Sequence, residues 1–148
     1  MSQAVSDRPL YVALGDSISI DEYAGGPGRG GASLLFRNWD EDFPSWRGRD
    51  LASRHPDACF ALLATDGATT GTVADVQLPR LASVVGRPTL VTLTVGGNDV
   101  LSAYADTASA RRVIAQVQAA VSRILDQVAA ALADGGRIVV GTTFGCAA

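Results

Sequence analysis

Four runs of apolar residues divide the chain: Leu10-Tyr11-Val12-Ala13-Leu14, Ala58-Cys59-Phe60-Ala61-Leu62-Leu63-Ala64, Thr89-Leu90-Val91-Thr92-Leu93-Thr94-Val95 and the stretch 137–144 beginning Arg137-Ile138-Val139-Val140. They are mostly continuous rather than alternating, as expected of strands buried on both faces. The first three give way to polar, glycine-containing turns, in Gly15-Asp16-Ser17, Asp66-Gly67-Ala68 and Gly96-Gly97-Asn98-Asp99. Between the third and fourth runs, Val113, Val117, Val121, Ile124, Leu125, Val128 and Leu132 recur at helical spacing. They predict a long helix over 107–133, with Gly135-Gly136 as its C-cap. Weaker patterns predict two more helices. One spans 45–54, with Ser45 as N-cap and Trp46, Leu51 and Ala52 for an inner face, and the other spans 72–85, punctuated by Pro79. The Gly-, Pro- and acid-rich segment 20–44 reads as a functional loop above the strand ends, with one helical turn over 32–36. Strands separated by helical segments predict an α/β fold: a parallel sheet with right-handed crossovers and helices on both faces.

Composition narrows the class. A chain of 148 residues suits one domain, spanning 1–148. The net charge is −3, all 12 basic residues are arginine and none form a run, which argues against nucleic acid as a partner. With no lysine, the glycine cluster over 25–31 cannot be a P-loop. Cys59 and Cys146 lack metal-ligand spacing and are too few for a disulfide framework, so two reduced thiols are expected. Residues 1–9 contain no apolar targeting core and no run is long enough to span a membrane, so the reading expects a soluble, cytoplasmic chain with no membrane partner.

In a parallel sheet the three glycine-ended turns lie at one edge, where open α/β sheets bind ligands. Ser17 is thereby the candidate nucleophile. A hydroxyl attacking an ester builds negative charge on the carbonyl oxygen, and fixed donors aimed at that point stabilise it. The Ser17 and Gly67 backbone N–H groups and the Asn98 side-chain amide can supply them. Glycine suits the second position because a backbone without a Cβ can approach a ligand closely.

These residues resemble the SGNH, or GDSL-type, hydrolases, a family named for Ser, Gly, Asn and His. Ser17 in Gly-Asp-Ser-Ile-Ser matches the nucleophile block, Gly67 in Asp-Gly-Ala-Thr-Thr the second, and Gly97-Asn98-Asp99 the Gly-x-Asn-Asp block. The likeness runs from about residue 10 to 144. It implies a flavodoxin-like three-layer fold with strand order 2-1-3-4-5, hydrolysis of a small-molecule ester or thioester at Ser17, Gly67 and Asn98, no metal and no organic cofactor. The family's last block, Asp-x-x-His after a fifth strand, has no match. The only histidine, His55, precedes the second strand and is expected at the opposite edge as a surface helix-end residue. Asp16, Asp21 and Asp99 read as turn or cap residues rather than bases.

The expectation is a C-terminally truncated SGNH-like domain, order 2-1-3-4 with the fifth strand missing, whose esterase activity is impaired by the lack of a histidine base. The alternative is a non-catalytic module that binds an acyl or acetylated ligand. An uncovered fourth strand also offers unpaired backbone groups to a second chain, so dimerisation or aggregation is expected. Light scattering on the purified chain checks this, and a clean monomer at high concentration would count against it.

Overall fold

β1 (Leu10–Gly15) is buried along its whole length, as its unbroken apolar run requires. The computed structural model describes residues 8–103 and 106–141. In it, β1 pairs in parallel with β2 (Cys59–Leu62) on one side and β3 (Leu90–Thr94) on the other, and β3 pairs in parallel with β4 (Arg137–Gly141). The sheet order is β2-β1-β3-β4, the 2-1-3-4 arrangement that the resemblance implies. Among the described residues β4 is the outer strand, with Val139 and Val140 exposed; positions 142–144 of the expected strand lie outside the described residues.

Alternation along the buried strands feeds two apolar layers. Leu10, Val12, Leu14, Val91 and Leu93 meet Val73, Leu78, Leu81, Ile124 and Val128 on one face. The last two belong to α6 (Thr107–Ala131). Tyr11 and Ala13 face the other way, against Ala32 and Phe36 of α1 (Gly31–Phe36), Leu51 of α2 (Leu51–Arg54) and Phe60. The Phe60 ring stacks between Tyr11 and Phe36, at 4.9 and 5.0 Å between centroids. Offset stacking of this kind adds about 0.5–1.5 kcal/mol per pair beyond the burial.

Three helix expectations need correction. The segment 45–54 is not one helix: a 3₁₀ turn at Pro44–Trp46 is separated from α2 by Gly48, whose φ of 70° no continuing helix adopts. The cap is Asp50, not Ser45, its carboxylate accepting from the Ser53 N–H at 2.9 Å, and Trp46 is exposed rather than inward. The helix expected over 72–85 starts earlier, at α3 (Thr70–Thr72), because Thr69 and Thr72 form a reciprocal capping box. It continues through a π turn (Val73–Gln77) into α4 (Leu78–Leu81). The wide turn lies just ahead of Pro79, whose ring would strike the Asp75 carbonyl in a regular α-helix. Finally, α6 ends at Ala131, because the Ala133 N–H turns away to the Pro88 carbonyl, and Gly135 serves the following turn at φ 75°.

Gly15 closes β1 at φ 126°, and a Cβ built there would lie 2.0 Å from the Thr94 carbonyl oxygen. Gly15→Ala therefore loses more than about 2 kcal/mol in urea unfolding, from strain and overpacking together. A loss within about 0.5 kcal/mol, the range of ordinary surface substitutions, would contradict this close approach.

Candidate active site

Where β1 stops, Asp16 turns the chain and Ser17 stands half-exposed at the tip. The turn is closed by the Ser19 N–H donating to the Asp16 carbonyl at 3.1 Å. The buried Asp16 side chain accepts the Ile18 N–H at 3.1 Å, so it braces the turn from inside. Thr94, the last residue of β3, holds the turn from the neighbouring strand. The Asp16 N–H donates to its carbonyl at 2.9 Å, and its hydroxyl lies 2.9 Å from that of Ser19.

Gly67 sits beyond β2 in a turn closed by the Ala68 N–H and the Thr65 carbonyl. Its φ of 66° calls for glycine, and nothing lies within 4 Å of where a Cβ would be. Asn98 lies on α5 (Gly97–Leu101), which starts directly after β3 and is turned in by Gly96 at φ 107°. Its amide donates to the Ala68 carbonyl at 2.9 Å, next to Gly67, and leaves a second N–H. Asp99 reinforces the same junction: its carboxylate accepts the Thr70 N–H at 2.9 Å and the Thr70 hydroxyl at 2.6 Å. The ends of β1, β2 and β3 are thus tied together, β1 to β3 through Thr94 and β3 to β2 through Asn98 and Asp99.

The loop over 20–44 reaches this edge as well. The Tyr23 hydroxyl donates to Asp66 at 2.7 Å, beside Gly67, and that bond together with the Asp66 charge holds the phenol above its ordinary pKa. Asp21 gathers the glycine cluster, accepting the Gly28 and Gly30 N–H groups, each at 2.8 Å. An apolar groove of about 180 Å³ opens beside the Ser17 turn, lined by Ile18, Ser19, Leu35, Thr92, Thr94 and Val139 among others.

His55 is exposed at the end of α2 and lines a different hollow with Pro9, Thr89 and Arg137, the amino ends of the strands. The six residues of β1 separate the two edges by roughly 20 Å at about 3.3 Å per residue. Asp16, Asp21 and Asp99 are engaged as brace, loop staple and clamp. Among the described residues no cluster of His, Cys, Asp or Glu could hold a metal ion, and no helix is long and apolar enough to cross a membrane. Cys59 is a free, exposed thiol, while Cys146 lies outside the described residues.

The sequence profile of the GDSL-like lipase/acylhydrolase family matches residues 13–148, a span that takes in all three strand-end turns. The chain belongs to the GDSL-like lipase/acylhydrolase family. Two solved structures extend the comparison for this GDSL-like chain. Protein YXIM of Bacillus subtilis aligns over 97% of the chain and 35% of its own length, at 20% identity and a TM-score of 0.55, a likeness of fold. A GDSL-like lipase candidate from Parabacteroides merdae aligns over 92% of the chain and 60% of its own length, at 12% identity and a TM-score of 0.49. The chain therefore spans about a third of the first protein, 35%, and 60% of the second. No curated protein sequence matches it.

Thr94 and Gln77, which is described below, were not legible as site residues. A threonine in a β-branched strand and a glutamine in an amphipathic helix carry no local signal of a long-range hydrogen bond.

The Asp21 staple predicts an acid sensitivity. Burial opposes its charged form, but the bonds from Gly28, Ser33 and Gly30 outweigh that and hold its carboxyl below the ordinary value. A group lowered on folding stabilises above its unfolded pKa, about 3.9, and that contribution is lost as pH falls through the lower folded value. Asp21→Asn should flatten the acid limb of a stability–pH curve between about pH 5 and pH 2. An unchanged slope would mean that the staple does not form in solution.

Proposed function

We propose that the carboxyl edge of this sheet is the acyl-transfer half of an ester-hydrolysing site. In this reading Ser17 Oγ attacks the carbonyl carbon of a small acyl ester or thioester, and the displaced electron pair goes to the carbonyl oxygen. The Ser17 and Gly67 N–H groups and the free N–H of Asn98 receive that oxyanion. Collapse of the intermediate expels the alcohol or thiol and leaves an acyl-serine, which water then hydrolyses.

The observation that carries the reading is the Asn98–Ala68 hydrogen bond at 2.9 Å, because it brings an amide with a spare donor to the backbone of the Gly67 turn. Preorganised donors of this kind contribute most when, as here, they are fixed by other bonds before substrate arrives. The groove beside Ile18 and Leu35 supports a short apolar acyl group.

The Ser17 proton needs an acceptor, and among the described residues of this edge the carboxylates of Asp16, Asp66 and Asp99 are already engaged by other donors. A serine without its base loses on the order of 10⁶ in kcat, while an oxyanion hole and binding can retain about 10³–10⁴ over water. The expected activity of these residues alone is therefore slight. Hydrolysis of p-nitrophenyl acetate by the purified chain tests this beside Ser17→Ala, Asn98→Ala and His55→Ala. Slow turnover that falls to background in Ser17→Ala, falls at Asn98→Ala and survives His55→Ala is the expected result. Removing one donor costs about 10²–10³ in kcat where chemistry is fully supported. Turnover of tens per second abolished by His55→Ala would overturn the reading. Reversible ester binding with no turnover would favour the non-catalytic acyl-binding module instead.

A further inference from the structure

Gln77 is fully buried in the π turn, with its amide against the end of β1. Its Oε1 accepts the Gly15 N–H at 2.8 Å. Its Nε2 donates to the Gly15 carbonyl at 2.8 Å and to the Thr65 hydroxyl at 3.2 Å. The need arises from the sheet itself. The β1–β2 register stops at Ala13 and Leu62, after which the Leu63 and Ala64 N–H groups both turn to the Ala13 carbonyl, and the Thr65 N–H still reaches the Gly15 carbonyl at 3.0 Å. The Gly15 N–H, still buried, is left without a β2 acceptor. A buried donor without a partner is costly, and Gln77 stands in for the missing strand.

The π geometry is what delivers it. One extra residue in the turn ahead of Pro79 shifts the helix phase, so that Gln77 and Leu78, adjacent in sequence, are both buried. Gly15 is two residues before Ser17, and Thr65 is two residues before Gly67. One side-chain amide therefore grips the root of the nucleophile turn and the root of the glycine-donor turn together. We propose that Gln77 is a positioning residue that sets the Ser17 turn against the Gly67 turn by its simultaneous hydrogen bonds to Gly15 and Thr65. This rests on the reading of Ser17 as nucleophile and Gly67 as oxyanion donor.

The test uses the full chain, Gln77→Met as an apolar variant of similar volume, and Val73→Ala as a core variant that leaves the amide in place. A serine-directed fluorophosphonate reports Ser17 reactivity, and amide hydrogen exchange reports the Gly15 N–H. Gln77→Met should lower the maximal labelling rate by about 10- to 100-fold with little change in half-saturation, since misplacement by about 1 Å costs that much. It should also speed Gly15 exchange at least about 10-fold relative to Val12, while Val73→Ala at matched stability alters neither ratio. Equal labelling by the two variants would overturn the proposal. If the wild-type chain is not labelled at Ser17, the nucleophile reading fails, and Gly15 exchange alone decides the latch: unchanged exchange in Gln77→Met overturns it. Should Gln77→Met not fold, Gln77→Leu, which removes both the acceptor and the donor, is read against the same outcomes, with Gly15 exchange measured beside that of Val12.

Discussion

The carboxyl edge depends on how a fully buried central strand is brought to an end. β1 has apolar layers on both faces and a neighbouring strand on each side, so its last backbone groups cannot turn to water. They must find fixed partners inside the protein. Thr94 takes the Asp16 N–H, Gln77 takes the Gly15 N–H, and the Gly15 carbonyl is shared by Gln77 and the Thr65 N–H. The same bonds anchor the base of the turn that carries Ser17. A site assembled this way is rigid before substrate arrives, which is the condition under which fixed dipoles stabilise developing charge.

That constraint also orders the chemistry across the edge. Asn98 has one N–H spent on the Ala68 carbonyl, and that expenditure is what aims the other. Asp99 beside it holds Thr70, so a short helix and the start of a long one are locked at the junction. The division of labour is clear in the placement of charge. Asp16, Asp21 and Asp99 are each occupied by backbone N–H or hydroxyl donors, and His55 lies at the far edge. Among the described residues, the carboxylates of this edge serve the architecture of its turns.

Much of this was legible in the sequence because it follows from local period and punctuation. Apolar runs, three of them ending on glycine-containing turns, point to four parallel strands, and the family resemblance implies their order. The distance of His55 from Ser17 followed from strand length alone. The structure differs where a local signal competed with a neighbour. Ser45 has the chemistry of a cap, but Pro44 and Gly48 confine it to a 3₁₀ turn and Asp50 caps instead. Pro79 reads as a helix interruption, and only three-dimensional packing shows that the chain answers it with a π turn that turns Gln77 inward. Thr94 and Gln77 act through bonds that span 62 to 78 residues, which no window of sequence displays.

The central claim is that the ester carbonyl is attacked by Ser17 and by no other group. Peptide mass spectrometry on the chain, acid-quenched during incubation with p-nitrophenyl acetate, reads this directly. With no unengaged carboxylate or histidine among the described residues of the edge to speed deacylation, an acetyl ester should build up on the peptide containing Ser17. Acetyl groups confined to the amino terminus, or an unmodified Ser17 peptide during measurable turnover, would contradict the account.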